Sequence, residues 1–235
     1  MKRFLGVTTA LLALLASGAL PSQAHSSSTY YAYKWKNQNG SSKTQEWKFT
    51  NSVPTSGGWR ARVKDGVNQW NSVGTPMQWV KISGGDYADY DIADPQQGCP
   101  AAGKNSVRYG YIDGPGNTIA HTVICLFTGT LQLSNIQITI DSSETNWNTG
   151  TGDTPDGGLF GCALGGCGLD LWGNMAHEWG HAVGMDLHFQ MSDPDTCSPG
   201  DRMDFHTMCA FYSGGSDRER TLEGHDSGTF IGAYP

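Results

Sequence analysis

The stretch that most constrains this chain spans residues 169–188 and reads LDLWGNMAHEWGHAVGMDLH. Within it, His177, Glu178 and His181 stand in the pattern HExxH. Residues four apart on a helix share a face one turn apart, so His177 and His181 can offer two imidazoles to one ion. Glu178, next to the first histidine, can stay off the ion and take a proton from a water beside it. Trp172, Ala176, Trp179 and Val183 recur at three- and four-residue spacing and predict the buried side of that helix. Asn174, His177, Glu178 and His181 fall on the opposite side. The competing reading is a buried helix with two incidental histidines. With 7 histidines among 235 residues, chance gives the pattern in roughly 1 such chain in 200.

A third histidine, His188, stands shortly after. A continued helix would carry it about 10 Å along the axis from His181. Nitrogens that each bind zinc at about 2.0 Å cannot lie so far apart. The helix is therefore expected to end and the chain to fold back, with Gly184 at the turn, where glycine tolerates a left-handed backbone. Three protein nitrogens with water in the fourth position make a catalytic rather than a structural zinc site.

The N-terminus sets the compartment. Lys2 and Arg3, an apolar run over 4–20 and the small-residue end Ser22-Gln23-Ala24 predict a secretory signal over residues 1–24. Gly6, Thr8, Thr9, Ser17 and Gly18 interrupt that run, which argues against a membrane anchor. The mature chain would begin near His25, as one domain over residues 25–235. Losing Lys2 and Arg3 takes the formal charge from −7 to −9. So acidic a chain is not expected to bind nucleic acid or an anionic membrane surface. Six cysteines behind a signal imply three disulfides. No CxxC pair favours a cysteine zinc site instead. Sequence order suggests Cys99–Cys125, Cys162–Cys167 and Cys197–Cys209 among the pairings six cysteines allow.

Periodicity predicts a strand over 44–50 and an amphipathic helix over 57–73, with Trp59, Val63, Val67 and Trp70 packing into the core. Strands follow over 77–82 and 87–93, a loop over 94–105, then strands over 107–112, 120–127 and 135–140.

His177-Glu178-x-x-His181-x-x-Gly184 followed by a histidine resembles the metzincin zinc peptidases, whose pattern is HExxHxxGxxH with a methionine turn downstream. The family's third ligand falls where this chain has Leu187; His188 comes one residue late, and Asp186, one residue early, is the rival. A one-residue bulge in a turn is easily absorbed and imidazole suits zinc, which favours His188. The order strand, helix, strands, zinc helix is similar to that of matrixin catalytic domains, a metzincin family. The resemblance implies an α+β, metzincin-like fold. That fold has a twisted mixed sheet of about five strands, two long helices, a zinc cleft, and a small C-terminal subdomain ending in a helix. Its upper part would run to about 184 and its lower part over about 185–235.

Further segments extend the resemblance. Asp113-Gly-Pro-Gly-Asn-Thr-Ile-Ala-His121 is similar to the matrixin DGPGGxLAH, and Ile140-Asp141-Ser-Ser-Glu144 with Trp147 to its FDxxExW. They imply a structural calcium held by Asp113, Asp141 and Glu144, with main-chain oxygens near Gly114, Gly116 and Thr118. The alternative is that the aspartates only shape turns. His121 matches one ligand of a structural zinc, but Thr139 stands where a partner histidine would be, so a second zinc is not expected. Residues 118–122, with Ile119 and Ala120, match the edge strand to which substrate backbone pairs. Met208, with Met203 as runner-up, is the implied methionine turn. Cys209-Ala-Phe-Tyr212 replaces the family's Pro-x-Tyr and leaves the specificity pocket unread. Residues 220–234, with Leu222, Asp226, Phe230 and Tyr234, resemble the family's C-terminal helix. Neither a propeptide nor a cysteine-switch segment is expected, so the enzyme is secreted active or kept latent in another way.

The resulting expectation is a secreted, extracellular, monomeric zinc metalloendopeptidase acting on protein or peptide substrates. Glu178 would take a proton from water at the ion and deliver it to the leaving amine. No GxSxG serine elbow is present. Three rivals stand beside it. One is a gluzincin drawing its third ligand from Glu219 or Glu223, which lack the usual local pattern. Another is a peptidase using Asp186. The third is a non-catalytic secreted binding protein on a metzincin scaffold, against which the intact Glu178 speaks.

Overall fold

A computed structural model describes residues 34–35, 43–90, 99, 104–130, 132–150, 168–185, 207–208, 220–222 and 224–234. The signal segment, Asp186, His188, Met203, Glu219, Glu223 and the cysteines at 162, 167, 197 and 209 lie outside them.

Strands β1 (Lys34–Trp35), β2 (Lys43–Phe49), β3 (Met77–Lys81), β4 (Asn105–Gly110), β5 (Ala120–Leu126) and β6 (Gln132–Asp141) form one mixed, mostly parallel sheet. Its path is β1-β6-β4-β2-β3, all parallel pairs, and β5 joins β6 antiparallel. Two-residue strands β7 (Trp147–Asn148) and β8 (Leu169–Asp170) make a separate parallel pair. The helices are α1 (Trp59–Ser72), α2 (Leu171–Ala182) and α3 (Gly224–Ala233). This is a mixed α+β architecture; among the described residues it has three helices, two of them longer and one at the C-terminal end, in the expected element order.

Alternation explains β2, where Gln45, Trp47 and Phe49 turn inward. On β6 both faces are buried. Ile136, Ile138 and Ile140 meet the helices, while Asn135, Gln137 and Thr139 lie beneath a polar cover. Gln137 Nε2 donates to Tyr90 O at 2.7 Å, and Asn105 of β4 bridges Glu46 O and Ile136 N at 2.8 and 2.9 Å, whereas Asn135 Nδ2 and Thr139 Oγ1 are buried without a partner among the described residues. The expected strand over 87–93 is corrected here. Tyr87 makes one isolated bridge to Thr50, and 88–90 form no strand. Tyr90 instead directs its hydroxyl to Ser106 Oγ at 3.0 Å, so the segment caps the sheet and does not extend it. Cys99 and Cys125 are disulfide-bonded, in the expected pairing, which ties Cys99 to β5.

Val63, Val67 and Trp70 of α1 are buried as the periodicity requires, while Trp59 is half-buried against Tyr109 and Trp147. Helices α1 and α2 cross closely at Gly66, where a Cβ would come within 2.7 Å of Met175. The core centres on Trp179, whose ring lies 5.1 Å from Trp47 and 4.8 Å from Trp79, centroid to centroid. Truncating such an aromatic to alanine costs about 3–5 kcal/mol.

Candidate active site

Helix α2 carries the HExxH residues, and its ends are fixed by the chain around it. Asp170 caps the N-terminus by accepting from Gly173 N at 3.0 Å. The same carboxylate holds Arg220 in a buried bidentate pair, at 2.7 Å to Nε and 3.0 Å to Nη2. At the C-terminus Gly184 adopts φ 105°, as expected of the turn residue. Gly184 N donates to His181 O at 2.9 Å and Met185 N to Gly180 O at 3.1 Å, a Schellman closure. Two further orphan carbonyls are met by side chains: Trp35 Nε1 donates to Ala182 O and Tyr234 Oη to Val183 O, both at 2.8 Å. Burial pushes the Tyr234 hydroxyl pKa up.

The histidines converge. His181 Nε2 lies 3.2 Å from His177 Nε2. His177 Nδ1 is 2.8 Å from Thr207 O, and His181 Nδ1 is 2.7 Å from Met185 O. A carbonyl only accepts, so each Nδ1 carries a hydrogen, and the two Nε2 atoms can share a proton between them or, both as lone pairs, face a metal cation. An ion at about 2.0–2.1 Å from both nitrogens would subtend an angle of about 100–106°, close to tetrahedral, so the donor pair fits zinc. Carbonyl partners on Nδ1 are also the orientation that metal-binding histidines favour. Among the described residues no group of three or more His, Cys, Asp or Glu comes together. A third ligand drawn from 186–206 falls outside them.

Glu178 departs from the expected placement. Helical spacing puts it and Asn174 on the side opposite the apolar face, yet they are 4% and 5% exposed. The covering element is β5, whose Thr122 hydroxyl lies 2.6 Å from Glu178 Oε2 and 3.0 Å from Glu178 O. Burial raises the carboxyl pKa from 4.5 to about 7, against a smaller opposing effect of the Thr122 hydrogen bond. The threonine suits both states of the acid. It donates to the carboxylate, or accepts from the carboxylic acid while donating to the main-chain oxygen.

Met208 is fully buried beneath this helix, and a side chain at Gly180 would collide with its sulfur. Thr207, beside it, orients His177 through its carbonyl, donates its N–H to Asp226 at 3.1 Å and its hydroxyl to Thr221 O at 2.8 Å. Residues 118–122 are expected at the site as an edge strand, but the Thr122 side chain's bond to Glu178, Thr207 and the Asp170–Arg220 pair are not among the sequence expectations. Asp170 could have been, because an aspartate just before an apolar helical run is a capping signal.

The implied calcium residues lie in adjoining turns. Asp113 accepts from Thr118 N and Oγ1 at 3.1 and 2.7 Å; Asp141 from Ile112 N, Ser143 N and Ser143 Oγ at 3.3, 2.9 and 2.7 Å. Glu144 accepts from Gly116 N at 2.5 Å and so joins the two turns. Ile119 accepts from Asp141 N at 2.9 Å, and Ala120 opens β5 opposite Ile140. Among the described residues no strand pairs with the second edge of β5. His121 stands opposite Thr139.

A scan against protein-family models found no match to the chain, and a search of curated proteins found none either.

Proposed function

We propose that this chain is a secreted zinc endopeptidase of metzincin type, with Glu178 as general base and His177, His181 and His188 as the metal ligands. The observation that carries the proposal is the imidazole pair, whose Nε2 atoms face each other at 3.2 Å while carbonyls hold both Nδ1 atoms. When bound, zinc supplies a Lewis acid that acidifies water and polarises the scissile carbonyl. Glu178, one residue from His177, takes the proton of the attacking water and returns it to the leaving amine. The second edge of β5, beginning at Ile119 and Ala120, offers an extended peptide a strand to pair with. Met208 and Gly180 pack as a methionine turn would beneath two ligands on one helix. Structural calcium at Asp113, Asp141 and Glu144 belongs to the same proposal and rests on the resemblance of their segments alone, because among the described residues these three carboxylates form no metal-holding group.

The test is cleavage of casein by the purified chain. Chelator should abolish it and zinc restore it. Glu178→Ala should keep about one zinc per chain and lose at least about 100-fold in rate. Near-wild-type turnover by that zinc-loaded variant rejects the assignment of the base, and a wild-type chain that binds zinc without cleaving is a binding protein. For the third ligand, His188→Ala should lose zinc and activity together. Asp186→Asn should keep its zinc with at most a loss of about 10-fold to 100-fold. The opposite pattern makes Asp186 the ligand.

A further inference from the structure

We propose that Thr122 is a positioning residue for Glu178, clamping one carboxyl oxygen to the edge strand so that the other is left to meet a reacting water. The clamp stands on geometry; the reaction it serves rests on the peptidase reading above. Thr122 lies in the middle of β5, opposite Ile138 on β6. Its strand companions on the same face are Ala120 and Ile124, both apolar and both in or against the core. A hydroxyl on such a face needs a polar partner, and it finds one on α2, in Glu178 Oε2 at 2.6 Å and Glu178 O at 3.0 Å.

The 2.6 Å separation is in the range of a charge-assisted O–H···O bond. Among the described residues no other group donates to this carboxyl. Glutamate has three side-chain torsions, and threonine, branched at Cβ, is stiff at χ1. The rigid partner therefore sets where the mobile one points. Because β5 also carries the edge proposed to pair with substrate, one strand seats both the peptide backbone and the base.

Thr122→Val keeps the branched shape and deletes the hydroxyl, whereas Thr122→Ser keeps the hydroxyl and deletes the methyl. The first readout uses metal-free protein: the carboxyl infrared band of Glu178, identified as the band that Glu178→Gln removes. It should move in Thr122→Val and stay in Thr122→Ser. The second readout is peptide cleavage by zinc-loaded protein. Thr122→Val should lower kcat about 10-fold with KM within about twofold, and Thr122→Ser should recover to within about threefold of wild type. An unmoved band in Thr122→Val overturns the proposal, as does a serine variant as slow as the valine one. If the wild-type chain cleaves nothing, the peptidase reading fails, and the infrared band alone decides whether Thr122 clamps Glu178.

Discussion

Replacing Glu178 by glutamine in the metal-free protein should change how stability depends on pH. Burial raises the folded carboxyl from 4.5 to about 7. Below about pH 4.5 both folded and unfolded wild type hold the proton. Between about 4.5 and 7 the folded chain still holds it and the unfolded chain has released it, so stability falls as pH rises. The shift of about 2.5 pH units corresponds to about 3 kcal/mol, present at low pH and lost as pH passes through about 7. Glutamine has no proton to release. Urea unfolding of wild type and Glu178→Gln, with chelator present, from pH 5 to pH 8, gives the difference by linear extrapolation. Wild type should lose about 2.5 kcal/mol relative to the variant across that range, the rest of the shift having been lost below pH 5. A difference that stays flat means Glu178 titrates as an exposed carboxyl does, and refutes the burial argument. Zinc should flatten the difference, because a cation near the carboxylate stabilises its ionised form.

Gly180→Ala should destabilise by about 1–3 kcal/mol and weaken zinc binding, since a Cβ there meets Met208 and lies 2.8 Å from Trp70. Thermal unfolding and zinc titration check this, and a change within about 0.5 kcal/mol would show that the packing gives way freely. Arg220→Met strips the buried Asp170 carboxylate of two guanidinium bonds and should cost about 3 kcal/mol in urea unfolding; a loss below about 1 kcal/mol would make the pair no better than a surface one. Calcium at millimolar concentration, with zinc constant, should raise the melting temperature by mass action. An unmoved melting point removes the calcium proposal, and Asp113, Asp141 and Glu144 then only shape turns.

How far the sequence could be read depended on how much chain each feature spans. Helix α1 was legible because Val63, Val67 and Trp70 repeat over several turns. The end of α2 was legible because Gly184 offers the left-handed backbone at which helices close. Two-residue strands such as β1 and β7 carry no period to read. Tyr87 and Tyr90 looked like strand residues by type, but tertiary hydrogen bonds to the sheet decided otherwise. The burial of Glu178 was illegible for a different reason. Helical spacing sorts residues into faces, yet which faces are covered depends on Thr122, 56 positions away. Likewise Thr207 acts through its main chain, on His177 and Asp226, so its side-chain type gave little sign of that role.

Diffraction from crystals of the zinc-loaded chain at the zinc absorption edge tests the proposed metal pair of His177 and His181. One anomalous peak is expected between the two imidazoles, about 2.0–2.1 Å from each Nε2, with His188 as the third protein ligand. A peak completed by Asp186 would correct the third ligand only. No peak between His177 and His181, in a chain shown to carry zinc, would contradict the account.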